Sequence, residues 1–138
     1  MRMNANDANK IIYKELSYKI NGILFKVHNE LGRFKKEKNY CDAIELELKQ
    51  ENLPYEREKL LLIILGNKKM QNRLDFVIDN KIILEIKAKS ILEKEDYYQL
   101  LNYLNMLNIK LGIIVNFRRR YLNPKRILNS RYSHKFAY

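Results

Sequence analysis

Tyr55 to Ala88 reads as three strand-like segments in succession: Tyr55 to Leu65, Met70 to Ile78 and Lys81 to Ala88, separated by turn signals at Gly66-Asn67 and Asp79-Asn80. No other block constrains the fold as tightly, because each break leaves only a few residues in which the chain can reverse. The second and third segments also carry charge at particular positions. Asp75 lies in Arg73-Leu-Asp-Phe-Val-Ile, and Glu85 and Lys87 lie in Ile82-Ile-Leu-Glu-Ile-Lys-Ala. That spacing can set two carboxylates and an ammonium around one divalent ion and one phosphate. The alternative is a set of ordinary charges on a half-buried sheet.

Strand parity turns this into a test. Successive side chains alternate faces, so Glu85 and Lys87 share one, with Ile82, Leu84 and Ile86 on the other. Asp75 is expected beside Arg73 and Val77, against Leu74, Phe76 and Ile78. A two-residue loop at Asp79-Asn80 pairs 78 with 81, hence 74 with 85, and puts Asp75 on the wrong face. A three-residue loop, Asp79-Asn80-Lys81, pairs 78 with 82 and therefore 75 with 85. Asn80 or Lys81 then takes a left-handed or bulged conformation.

In the second register the Cα atoms of 75 and 85 lie about 4.5–5.5 Å apart, and both carboxylates can reach one ion. Hard oxygen ligands with retained waters favour Mg²⁺ or Mn²⁺ over zinc. Such an ion polarises a phosphoryl oxygen and acidifies a water. The backbone carbonyl of Ile86 can complete the ligand set, and Lys87, about 6–7 Å along the strand, can stabilise charge on phosphorus.

Three helices and two further strands account for the remaining segments. Leu16, Ile20, Ile23, Leu24, Val27 and Leu31 follow helical spacing from Ile11 to Leu31, and Gly32 is a stop signal. A basic loop, Arg33 to Lys36, leads to a second helix, Glu37 to Gln50, that ends before Pro54. A third helix covers Glu93 to Leu107, with Leu100, Leu104 and Leu107 on its apolar side. Gln99 and Tyr103, four apart, share another face near Asp96. They can bond a phosphate or hold Lys87 and water; otherwise they are a solvated helix face with a half-buried ring. Leu111 to Phe117 reads as a buried strand, and Arg126 to Leu128 as an edge strand. The order ααβββαβ needs one domain, expected over 11–130, with a polar lead-in over 1–10 and a basic tail over 131–138.

The formal net charge is +11, and from Tyr97 to Tyr138 there is neither Asp nor Glu. The same stretch carries Lys110, Arg118, Arg119, Arg120, Lys125, Arg126, Arg131 and Lys135, which favours a polyanionic partner. Compositional bias toward Lys is the simpler alternative. The longest apolar run, Leu60 to Leu65, is too short to cross a bilayer, no secretory h-region follows Met1, and Cys41 is the lone cysteine. These features lead us to expect a cytoplasmic chain with no membrane partner.

Arg73-Leu-Asp75, Leu84-Glu85-Ile86-Lys87 and Gln99-Leu-Leu-Asn-Tyr103 together resemble the PD-(D/E)xK nuclease superfamily. More closely, the chain resembles its GxxExxY (PDDEXK_3) family, through Glu15 to Ile20, Val27-His-Asn-Glu-Leu-Gly32, Glu37-Lys-Asn-Tyr40 and Lys110 to Phe117, on to Lys125-Arg-Ile. The resemblance implies a mixed α/β sheet flanked by helices, a restriction-endonuclease-like core, and metal-dependent phosphodiester cleavage. Gly32 departs from the family pattern by lying five residues before Glu37 rather than three. The implied catalytic set is Asp75, Glu85, Lys87, Glu37 and Gln99, with metal ligation by Asp75, Glu85, the Ile86 carbonyl and either Glu37 or His28. Glu37 has an alternative role at a helix N-terminus, and His28 one as a structural histidine. Tyr103, Tyr40, Arg73, Lys89, Arg118, Arg119 and Arg120 are expected to face nucleic acid, DNA first. A homodimer would supply the two sites that paired cuts need. Against a nuclease stand an inactive nucleic-acid-binding module on the same fold and a protein-interaction domain with a basic tail.

Overall fold

A computed structural model describes residues 12–129; the lead-in, the tail and His134 lie outside the described residues. Three helices, α1 (Lys14–Leu31), α2 (Glu37–Gln50) and α3 (Lys94–Leu107), accompany five strands, β1 (Tyr55–Leu65), β2 (Lys68–Ile78), β3 (Ile82–Lys87), β4 (Leu111–Asn116) and β5 (Lys125–Leu128). Gly32 stops α1 at a positive φ of 78°, with its N–H bonded to the His28 carbonyl. The edge strand read at 126–128 forms as β5, paired antiparallel with β4.

The sheet runs β1-β2-β3-β4-β5 in space. β1, β2 and β3 are antiparallel neighbours, whereas β3 and β4 are parallel and α3 makes the crossover between them. This is a mixed α/β fold with helices on both sides of the sheet. On one face Ile20, Leu24 and Val27 of α1 and Tyr40, Ile44 and Leu48 of α2 pack on Phe76, Leu84, Ile86 and Val115. On the other, Leu100, Tyr103 and Leu104 of α3 pack on Val77, Ile83 and Ile114. Both faces being covered explains why β4 is apolar without alternation. Among the described residues no helix is long and apolar enough to cross a membrane.

Parity fails at one place. Leu74 packs with Val77 on the α3 side, not with Phe76 and Ile78 as simple alternation requires. The β1–β2 ladder passes from Arg57↔Phe76 to Lys59↔Leu74, and Glu58, between them, sits at a φ of 54°. A left-handed residue of this kind kinks its strand and shifts the faces beyond it. The kink lies across from Asp75.

Candidate active site

The hairpin between β2 and β3 takes the three-residue register. Ile78 pairs with Ile82, Val77 with Ile83 and Phe76 with Leu84. Asp79 and Asn80 both adopt φ 53°, and the Lys81 N–H bonds back to the Ile78 carbonyl at 3.0 Å. Asn80 thus takes the expected left-handed conformation, and Asp79 before it does the same. Lys81 is the extra residue that sets the parity.

Continued by one step, that register brings Asp75 to Glu85. Here side chains replace the regular ladder. The Asp75 N–H donates to Glu85 Oε1 at 3.2 Å, and the Ile86 N–H donates to Asp75 Oδ2 at 2.7 Å. Glu85 is only 6% exposed, and its carboxyl interacts with that of Asp75. Burial, then the neighbouring Asp75 charge, pushes the Glu85 carboxyl well above the usual carboxylate range. Burial also raises Asp75, while the Ile86 amide and Lys87 act in the opposite sense. Two acids held together, one buried and one half-buried, cannot both ionise cheaply unless a cation joins them.

Glu85 and Lys87 share the α3 face, as alternation requires, since Ile82, Leu84 and Ile86 lie in the opposite core. The Lys87 ammonium lies 3.9 Å from Asp96 in the first turn of α3. Asp96 also accepts the Glu93 N–H at 2.8 Å and Lys89 Nζ at 2.9 Å. Burial opposes its ionisation, but these donors and Lys87 outweigh burial and hold it below the ordinary value. Tyr103, expected to meet nucleic acid, is instead buried at 3% exposure behind Glu85. Burial, then the Glu85 and Asp75 charges, pushes its hydroxyl up to about 12, while Gln99 acts in the opposite sense. Leu101 and Leu104 keep the ring in the core, so α3 offers solvent only Gln99 of this pair.

Glu37, the first residue of α2, reaches the cluster from the other side. It lines a cavity of about 240 Å³ with Lys38, Cys41, Arg57, Glu58 and Asp75. Partial burial raises its carboxyl; Lys87 opposes that shift and Asp75 adds to it. His28 does not converge with these groups. Its Nε2 lies 2.9 Å from the Arg119 carbonyl, which requires a proton on that nitrogen, and its ring packs near Phe117. The alternative structural role fits it. Tyr40, also expected at the nucleic-acid face, is wholly buried and stacks on Phe117 with centroids 4.2 Å apart. Its hydroxyl donates to the Gly32 carbonyl and accepts the Lys35 N–H, so it ties down the basic loop.

Residues 14–127 match the model of the PDDEXK_3 family, described as PD-(D/E)XK nuclease superfamily. The chain belongs to this superfamily. Its fold is also similar to the crystal structure of SSO0001, with a TM-score of 0.51 and 24% identity over 93% of this chain. The chain spans 64% of the length of that structure. No curated protein matches by sequence.

Within this PD-(D/E)XK fold the basic side chains divide in two. Arg118 donates through Nε to the Arg33 carbonyl and through Nη2 to the Ala88 carbonyl, which leaves it a structural task as well as charge. Lys89 is paired with Asp96 and Glu93, and Arg126 donates to Ser17 Oγ of α1. Arg73, Arg119 and Arg120 are exposed. Sequence reasoning passed over Glu58 and Arg57. A signal existed, because a two-residue turn at Gly66-Asn67 pairs 65 with 68 and so places Glu58 opposite Asp75. Arg57 carried no such signal; it is held by Asp42 and Glu45 of α2 and lies over the Phe76 ring.

Proposed function

We propose that this chain hydrolyses phosphodiester bonds of nucleic acid, DNA foremost, with Mg²⁺ or Mn²⁺ held by Asp75 and Glu85. One observation carries the reading: Asp75, half-buried at the edge of a cavity, touches the buried Glu85, with Lys87 on the face of Glu85. Among the described residues no group of three or more His, Cys, Asp and Glu side chains forms a ready-made metal site. Two hard oxygen donors nevertheless fit a cation that keeps several waters and shares its shell with substrate phosphate. The raised carboxyls point the same way, since a divalent charge would relieve both. The Ile86 carbonyl and Glu37 are the further oxygen donors within the same group of residues.

When bound, the ion supplies Lewis acidity toward phosphate and water. The chain's own groups do the rest. Lys87, positioned by Asp96, offers an ammonium to the negative charge that builds on phosphorus. Gln99 presents an amide that can orient a phosphate oxygen or the attacking water. Glu37, at the cavity beside Asp75, is placed to accept a proton from the attacking water as its oxygen bonds to phosphorus and the bond to the ester oxygen breaks, that oxygen then taking a proton from solvent.

A binding-only module has its own support, because Asp75 and Glu85 already accept backbone amides and Lys87 already faces Asp96. Cleavage of single-stranded, duplex and branched DNA and of RNA, with Mg²⁺, Mn²⁺ or EDTA, separates the two. The nuclease reading expects metal-dependent cleavage that Lys87→Ala reduces by 10²-fold or more, with binding retained. Binding by the unaltered chain with no cleavage under either ion would leave only the module.

A further inference from the structure

We infer that Phe34 is a stacking platform for an unpaired nucleobase beside the proposed active site. This rests on the nucleic-acid reading but not on cleavage. Phe34 is 76% exposed in the loop between α1 and α2, so its ring contributes little to the core. The loop is nevertheless firmly held. Arg33 Nε donates to the Arg118 carbonyl at 2.7 Å and Arg118 Nε donates to the Arg33 carbonyl at 3.0 Å, locking it to the β4–β5 loop. Tyr40 fastens it from beneath.

The two guanidiniums that form this lock also lie over the ring, at 4.9 Å for Arg33 and 5.8 Å for Arg118 from its centroid, and the ring still leaves most of its surface to solvent. Among the described residues neither forms an ion pair with a carboxylate, so both charges remain available to phosphate. An exposed ring on a held loop, with unneutralised arginines beside its open surface, suits single-stranded nucleic acid, where a base stacks and its phosphates meet cations. A protein partner would more often seek a wider apolar surface, and the neighbouring Lys35 and Lys36 are exposed cations.

The platform is tied to the site. Arg118 Nη2 donates to the Ala88 carbonyl, one residue beyond Lys87, and the Phe117 N–H bonds to the Lys87 carbonyl at 2.8 Å. Asn116 fixes the next residue, with its Nδ2 donating to the Lys89 carbonyl and its Oδ1 accepting the Lys89 N–H. A base stacked on Phe34 thus holds its strand in register with the end of β3. The substrate class this selects has unpaired bases at the site: single strands, flaps or frayed ends.

The chain contains no tryptophan, so Phe34→Trp installs a sole tryptophan at the platform, whose emission can be excited apart from the ten tyrosines. In EDTA, titration with single-stranded DNA or RNA should quench it, whereas an abasic strand of equal length and a blunt duplex should not. Comparing the DNA and RNA titrations distinguishes the sources of the base. Phe34→Ala should weaken single-strand binding by roughly 5- to 100-fold, with Phe34→Trp close to wild type. Equal quenching by the abasic strand, or unchanged single-strand affinity in Phe34→Ala, would overturn the proposal. Quenching without cleavage under either Mg²⁺ or Mn²⁺ would refute the nuclease reading while the platform stands; cleavage without base-dependent quenching would do the reverse.

Discussion

The Asp75–Glu85 contact stores unfavourable charge, and its consequence is a pH dependence with a defined sign. An unfolded Glu loses its proton near about pH 4.3, whereas folded Glu85 keeps one to higher pH. The folded state therefore binds more protons across that window, and without metal its stability should fall as pH rises from the unfolded value through the raised one. Asp75 shifts in the same direction. Urea titrations in EDTA at a series of pH values should reveal the fall, and Mg²⁺ should flatten or reverse it. Glu85→Gln removes the charge while preserving the volume. It should stabilise the metal-free protein by about 1–2 kcal/mol at pH 8, give no gain at pH 4, and abolish the metal effect.

At the scale of elements, the site depends on two departures from regular β structure. Lys81 is the residue that sets the β2–β3 parity, and Glu58 kinks β1 opposite Asp75. A left-handed glutamate is strained by roughly 1 kcal/mol, which glycine does not suffer. Glu58→Gly should therefore raise the unfolding free energy by up to about 1 kcal/mol in urea, and Glu58→Ala, equally restricted, should not. The hairpin parity could be posed from sequence as two alternatives, because Asp79-Asn80-Lys81 fits both loop lengths. The kink could not: Glu is a poor candidate for positive φ, and local propensity gives no hint of it.

Across the whole molecule, α3 links the sheet to the positioning of Lys87. Gly112 in β4 lies directly beneath Leu100, where an added Cβ would meet Leu100 side-chain carbons at 2.9 Å. Leu100 is fully buried and has little room to yield. Gly112→Ala should cost about 1–3 kcal/mol and lower any Lys87-dependent activity by displacing Asp96, and thermal denaturation beside the cleavage assay checks both. The sequence by itself determined the elements, their order and the candidate carboxylate–lysine set, because hydrophobic period, turn residues and spacing are local properties of the chain. It also carried the family resemblance, spread across nearly the whole fold. Only the tertiary structure decided that Tyr40 and Tyr103 are buried supports rather than contact residues, since an aromatic ring on a helix suits either place. Packing likewise turned His28 toward the Arg119 carbonyl, brought Glu37 to the cavity beside Asp75 and raised Phe34 on interlocked loops. Asp75 and Glu85 stand ten residues apart in the chain, and whether they touch rests on the parity of one turn. Nothing short of the folded sheet settles that parity, because both registers satisfy the local chain.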